Sequence, residues 1–500
     1  MSLTEFDWLY STDDFLVRAS NGCKSYIPEG ITHVRFGIVF IPLEPGYIPN
    51  SVTHLNLGSF NYSLKPGDIP NSVTYLVFGD EFNQPLEPGD TPNSVTRLLF
   101  GRNFNQPLKS GVIPNSVQYL SFSEHGYSYN SFFNQKLEPE AIPNSVVYLK
   151  FGFSFNQKIN PGDIPKSITH LQFGWQFNQQ LKVGSIPDSV THLKFLGDFN
   201  QTLKPGLIPN SVTHLEMSNK FNKPLIPRGI PNSVTHLAFG FKFNKPLNPG
   251  DIPDSVTHLV FGRRFNQQLK MGDIPNSVVS IEFNNYRDYL LKNVLPSSTK
   301  IVKLYMESDF DELSSVKIGT IPNGITHLEF DWHFNKQLIP GYIPDSVTHL
   351  KFGNNFSKPL NPGDIPNSVT HLDLGNFYNH SLQKVVPDSV THLIVSTHFN
   401  HYLTRETIPD SIFYIEIQGE YNAFMDLGDH VFIKKRTRDI FSKDKDPFFG
   451  KIYNKWTRHT CKYFSPHFAF YKNFFTSRIN NSILQELPIE LLFYILEYQF

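Results

Sequence analysis

The chain has 500 residues, with 44 Lys and Arg against 45 Asp and Glu, so a formal charge of −1 excludes long-range attraction of the whole molecule to nucleic acid or an acidic surface. Its 37 prolines and 31 glycines exclude long helices over most of the length, and 39 % hydrophobic residues are too many for a disordered chain. Two distant cysteines, Cys23 and Cys461, make no disulfide framework; the acidic first twenty residues lack the pattern of a secretory signal, and no apolar run reaches the ~18 residues of a membrane span, so a reducing, cytoplasmic location is expected.

Residues 1–26 are read as an N-terminal cap. From residue 27 to about 420 the phrase I-P-N/D-S-V-T-H-L returns again and again. Its proline occurs eighteen times between Pro28 and Pro409, and fifteen of the seventeen intervals are 21 or 22 residues. The two exceptions are 29 residues after Pro114, where SEHGYSYNS is inserted, and 26 after Pro296, in a degenerate stretch. A good copy, Ile164 to Ser185, reads IPKSITHLQFGWQFNQQLKVGS. Its segment Ile168–Phe173 alternates between turn residues, which predicts a short strand with Leu171 and Phe173 on one face and His170 and Gln172 on the other. Ile164, Ile168, Leu171, Phe173, Phe177 and Leu181 are the expected inward side chains. Six of them do not offset the entropy of ordering a whole unit, so no unit folds alone and neighbours must stack. The expected fold class is mainly β: a leucine-rich-repeat-like solenoid of about 18 units, with a small helical C-terminal region.

Three polar columns recur at fixed places in the unit. The asparagine of F-N (Asn83, Asn105, Asn134, Asn156, Asn178, Asn200, Asn222, Asn244, Asn266 and Asn335) is expected to bond the backbone of its own or the next turn as a structural ladder in buried turns. Eleven histidines share one position: His33, His54, His170, His192, His214, His236, His258, His327, His349, His371 and His392. Tyr75, Tyr119, Tyr148 and Tyr414 replace it elsewhere. Imidazoles in such a column point the same way and cannot surround one metal ion, so they are read as flat, half-exposed rings. Asp188, Ser189 and His192 contain the letters of a hydrolase triad, but the trio returns at Asp254-Ser255-His258 and Asp345-Ser346-His349, which marks a turn motif. No catalytic residue, cofactor or metal is expected.

The position two residues after the repeat threonine-plus-one varies instead: Gln172, Lys194, Glu216, Ala238, Val260, then Glu329, Lys351, Asp373 and Ile394. A varied column on a constant framework is how a repeat sheet presents a specific protein-binding surface. The candidate partner-binding residues are His170, Gln172, His192, Lys194, His214, Glu216, His236, His258, Lys351 and Asp373; for any single one, plain solvated surface is the alternative.

Units reading I-P-N-S-V-T-H-L-x-F-G-x-x-F-N-Q-P-L-x-P-G-D resemble the FNIP repeat, and Pro70 to Asp90 and Pro231 to Asp251 match it nearly residue for residue. The resemblance covers residues 27 to 420. It implies a leucine-rich-repeat-like interaction module without chemistry, of a kind found in amoebae and their large DNA viruses and often joined to an F-box, and hence a host-cytoplasmic location for a viral chain.

Residues 430 to 480 hold twelve Lys or Arg and three Asp among many aromatics. The basic aromatic segment 421–480 reads either as a small helical cap on the last repeat or as a binder of single-stranded nucleic acid. The final segment, 481–500, places Leu487, Leu491, Leu492, Ile495 and Leu496 at three- and four-residue steps, an amphipathic helix entered through Pro488. Its L-P-x-E-L-L run, including Glu490, resembles the opening of an F-box, which implies docking to the Skp1 adaptor of cullin ubiquitin ligases. A plain amphipathic helix is the other reading.

Overall fold

The computed structural model describes residues 14–17, 27–37, 42–123, 131–284, 294–304, 318–319, 321–330, 332–396, 398–418, 423, 425–427, 431–438 and 452–454. The chain divides into two compact units, Met1–Lys336 with Gly341–Val347, and Gln337–Pro340 with Thr348–Phe500. Both are parallel β-solenoids, and among the described residues neither contains a helix.

In the first unit the repeat prolines from Pro28 to Pro322 are each followed by a strand, from His33–Phe36 to His327–Phe330, and consecutive strands of this run are hydrogen-bonded in parallel. The register repeats the sequence ruler, so His170 faces His192 and Phe173 faces Phe195. An additional strand, Asp14–Val17, pairs in parallel with His33–Phe36, within the segment read as a cap. The alternation predicted for the repeat is observed: Leu171 and Phe173 are buried, while His170 and Gln172 are half-exposed. Ile164, Ile168, Phe177 and Leu181 are buried as well.

Why phenylalanine supplies most of the aromatic residues is visible in this interior. Phe173 stacks on Phe151 at 5.7 Å and on Phe195 at 5.1 Å, and Phe177 stacks on Phe155 at 6.2 Å and Phe199 at 6.1 Å. Within the turn Phe173 and Phe177 lie 4.1 Å apart. Two aromatic ladders thus lock together, and each ring contacts neighbours both in its own turn and in adjacent ones. The glycine after the strand follows from the same closeness. A Cβ on Gly174 would lie 1.7 Å from the carbonyl oxygen of Gly152, so only hydrogen fits.

The invariant polar residues hold the turns. Pro187 accepts the N–H of Val190 at 3.1 Å, and Ser189 Oγ donates to the Ile168 carbonyl at 2.7 Å. Where the unit reads P-G-D, the aspartate closes its own turn, as when Asp163 Oδ2 accepts the Asn160 N–H at 2.7 Å. The asparagine ladder runs between turns: Asn178 Oδ1 accepts the backbone N–H of Asn200 at 2.9 Å, and the Asn178 N–H donates to Asn156 Oδ1 at 3.0 Å. Its location differs from expectation. Asn178 is exposed and Asn83 half-exposed, because these amides lie on the flank of the turn, outside the aromatic ladders.

The second unit repeats the pattern through strands His349–Lys351, His371–Asp373, His392–Val395 and Tyr414–Gln418. Beyond the last repeat, where a helical cap is expected, the described residues form strands. Phe432–Arg438 adds in parallel to Tyr414–Gln418 and Ile452–Asn454 pairs antiparallel to it. A final repeat strand leaves a row of unpaired backbone groups, and another strand satisfies them where a helix does not. Lys434 faces Glu416 in this register, with 3.8 Å between their charged atoms and both side chains buried. The remainder of 421–480, and the whole F-box-like run from Leu487 to Leu496, lie outside the described residues.

Candidate protein-interaction face

On the outer face of the first unit, five consecutive strands carry His170, His192, His214, His236 and His258 in register. Neighbouring rings stack at 4.2 Å with their planes 7° to 13° apart. The spacing comes from the parallel ladder; the common tilt comes from the residue before each ring. In all five, the threonine hydroxyl lies against the imidazole, with Oγ1 to Nδ1 distances of 2.9 or 3.0 Å from Thr169–His170 to Thr257–His258. The same bond occurs at the other six repeat histidines.

Seven of the rings are harder to protonate than a free imidazole. Partial burial, followed by the charge that neighbouring histidines would carry, lowers the pKa of His170, His192, His214 and His236. His54 is pushed down to about 4 by burial, by His33 and by Arg97. His327 and His392 are also lowered, chiefly by burial.

Beside the rings runs the varied column, Gln172, Lys194, Glu216, Ala238 and Val260, again in register. Lys194 and Glu216 pair at 2.8 Å with about half of each side chain exposed. Of the predicted site residues, the structure therefore gathers His170, Gln172, His192, Lys194, His214, Glu216, His236 and His258 on one face of the first unit. Lys351 and Asp373 lie in the second unit, beside a stack of His349, His371 and His392 at 4.1 Å. There Asp373 Oδ1 is turned back to accept the Gly375 N–H at 2.9 Å.

The hydrolase-like trio is taken apart by its bonds. Ser189 Oγ is held by the Ile168 carbonyl, His192 Nδ1 by Thr191, and Asp188 is exposed in the turn. Among the described residues, no three His, Cys, Asp or Glu side chains converge on a metal-sized site, and no helix is long and apolar enough to cross a membrane.

One surface feature was not expected. Where tyrosine and arginine replace histidine, Arg97 lies between the rings of Tyr75 and Tyr119, 5.5 and 5.0 Å from their centres, and Tyr119 stacks on Tyr148 at 4.5 Å. Val77 and Leu99, in the varied column, are buried against Tyr119. The readable signal was two apolar residues at an outward position, flanked by aromatics.

The FNIP Repeat model matches residues 24–60, 60–90, 82–125, 155–198, 199–242, 243–286, 265–306, 313–355, 334–377 and 378–420. Among solved structures the chain is similar to CroV588 of the giant virus CroV, described as a novel circular LRR protein. The two are 35 % identical, with a TM-score of 0.59 over 82 % of this chain. The chain spans 60 % of that protein's length. YopM from Yersinia enterocolitica WA-314 aligns over 84 % of this chain and 91 % of its own, at 13 % identity and a TM-score of 0.30, too low to bear on fold or function. Among curated proteins none matches.

Proposed function

Because this chain belongs to the FNIP repeat family, we propose that it is a non-enzymatic scaffold whose outer sheet face binds a protein. One observation carries the reading. The repeat serine, threonine and asparagine hold the turns and strands, while the column Gln172, Lys194, Glu216, Ala238 and Val260 changes in size and charge from one turn to the next. The Lys194–Glu216 pair gives the face a fixed local charge pattern, which favours specificity over raw affinity.

The test is capture from cytosol on immobilised full-length chain, compared with a Gln172→Ala, Lys194→Glu, Glu216→Lys variant of unchanged melting temperature. Loss of a captured protein by the variant supports the face; identical proteins on both chains count against it.

The carboxyl-terminal half of the proposal is recruitment of Skp1 through Leu487, Pro488, Glu490, Leu491, Leu492, Ile495 and Leu496, supported by the L-P-x-E-L-L spacing. A Skp1 pull-down with the full chain and with one ending before Leu487 decides it: equal or absent binding in both discards the ligase role. The basic aromatic segment 421–480 supports a second reading, single-strand binding, for which affinity must fall steeply with salt. A cytoplasmic compartment, that of the host for a viral protein, is proposed on the same footing.

A further inference from the structure

The hydrogen-bond distances favour one tautomer along the histidine column. The Thr169 carbonyl already accepts two backbone N–H groups, from Thr191 at 2.8 Å and His192 at 3.0 Å. The Thr191 carbonyl likewise accepts from Thr213 at 2.9 Å and His214 at 3.1 Å. A carbonyl has two lone pairs, so each is fully used. The next threonine hydroxyl lies farther off, with Thr191 Oγ1 at 3.2 Å from the Thr169 oxygen but 2.9 Å from His192 Nδ1. Its hydrogen therefore goes to Nδ1. In the neutral ring the proton then sits on Nε2, and no Nε2 of these five rings has a protein partner among the described residues. The face thus carries a row of N–H donors 4.2 Å apart.

Two neighbouring donors suit one carboxylate, whose two oxygens accept from both rings at once. Acid changes the row in a defined way. A proton added at Nδ1 turns the threonine hydroxyl back toward a saturated carbonyl, and two adjacent cations repel at 4.2 Å, so alternate rings charge first. The surrounding groups do not mask this. On the same strands Lys194 and Glu216 neutralise each other, and Gln172, Ala238 and Val260 are uncharged. The flanking strands bring Tyr148 with Lys150, and Ser280 with Glu282, whose carboxyl is raised by burial. The turns leading into the strands bring Lys166, Asp188 and Asp254.

Building on the reading of this face as a protein-binding surface, we infer that the His170–His258 column is an acid-gated docking strip for an acidic protein segment. It is a neutral row of donors near neutral pH and a row of alternating cations only in acid well below the ordinary histidine range. Charge complementarity selects the occupant, since only an acidic chain gains when the strip charges.

The probe is a fluorescent poly-aspartate peptide titrated against the full-length protein at about pH 7.5 and about pH 5, the acid arm set well below the ordinary histidine value of ~6.5 because burial lowers these rings. Binding is expected to tighten by about tenfold, equal to about 1.4 kcal/mol, in acid. The gain is expected to vanish in a His192→Tyr, His214→Tyr, His236→Tyr variant and to survive in His371→Tyr, a stacked ring of the other unit. Tyrosine is chosen because Tyr119 and Tyr148 already stack at this position. Equal affinity at both pH values, or an undiminished gain in the triple variant, overturns the inference. So does an oligothymidine or an anionic vesicle that outcompetes poly-aspartate through the same histidines. Nitrogen-15 histidine spectra at neutral pH supply a check independent of binding: Nε2–H rings are expected, and Nδ1–H rings refute the assignment. If instead a cytosolic partner binds at neutral pH and ignores the histidines, the scaffold reading stands and only the gate falls.

Discussion

Replacing His192 and His236 with tyrosine leaves no two neighbouring imidazoles in the run from His170 to His258. The wild-type run has four adjacent pairs, each at 4.2 Å. Two unit charges at that distance repel by about 1 kcal/mol even in bulk water, so full protonation costs about 4 kcal/mol across the run. A Debye length of ~8 Å at physiological ionic strength cuts this to about 2 kcal/mol. The sign follows from the lowered pKa of His170, His192, His214 and His236. The unfolded chain takes up protons below ~6.5 while the folded rings resist, so stability is fully present above that value and is lost as the pH falls through and below it. Denaturant unfolding at about pH 7.5 and about pH 5 therefore shows a smaller acid loss for the double variant, by about 2 kcal/mol. All other histidines and carboxylates are common to the two chains and cancel, while the burial penalty that leaves with His192 and His236 adds to the difference in the same direction. Equal acid losses in both refute the charge-repulsion account of the column.

Other perturbations separate the ladders. Asn178→Ala leaves the Asn200 N–H without its acceptor, and because the site is exposed the loss is about 0.5–1.5 kcal/mol by chemical unfolding; no change sinks the ladder. Phe177→Ala opens the fully buried aromatic interior and costs about 3–5 kcal/mol, read as a drop in melting temperature. Gly174→Ala forces a Cβ into the Gly152 carbonyl and costs about 3 kcal/mol or more, despite adding a single methyl group; a neutral result contradicts the close approach. Lys194→Ala removes an exposed ion pair and changes stability by less than about 1 kcal/mol, which makes it a clean probe of binding.

The eleven repeat histidines show how much chemistry was legible before any fold. Threonine precedes every one of them; it also precedes Tyr75 and Arg97, while Gln118, Val147 and Phe413 precede the tyrosines at 119, 148 and 414. In the T-H pair the threonine hydroxyl meets Nδ1, while Thr74 and Thr96, which precede Tyr75 and Arg97, reach only the carbonyl one turn back. The bond is not legible in the repeat, because a dipeptide inside a motif reads as part of the motif.

The ruler of 21 or 22 residues and the alternation of Leu171 and Phe173 with His170 and Gln172 specify the strand, its inward face and its register, because one-dimensional stacking makes residue i meet its counterpart one repeat later. Three-dimensional packing decided the rest. Whether Lys194 and Glu216 attract each other or a visitor depends on side-chain reach across the ladder, and whether Val77 is wet depends on the rings beside it. Likewise the run 432–438 became a strand because the last repeat offered an open edge. Local pattern governs what recurs, and neighbours in space govern what happens where the recurrence stops.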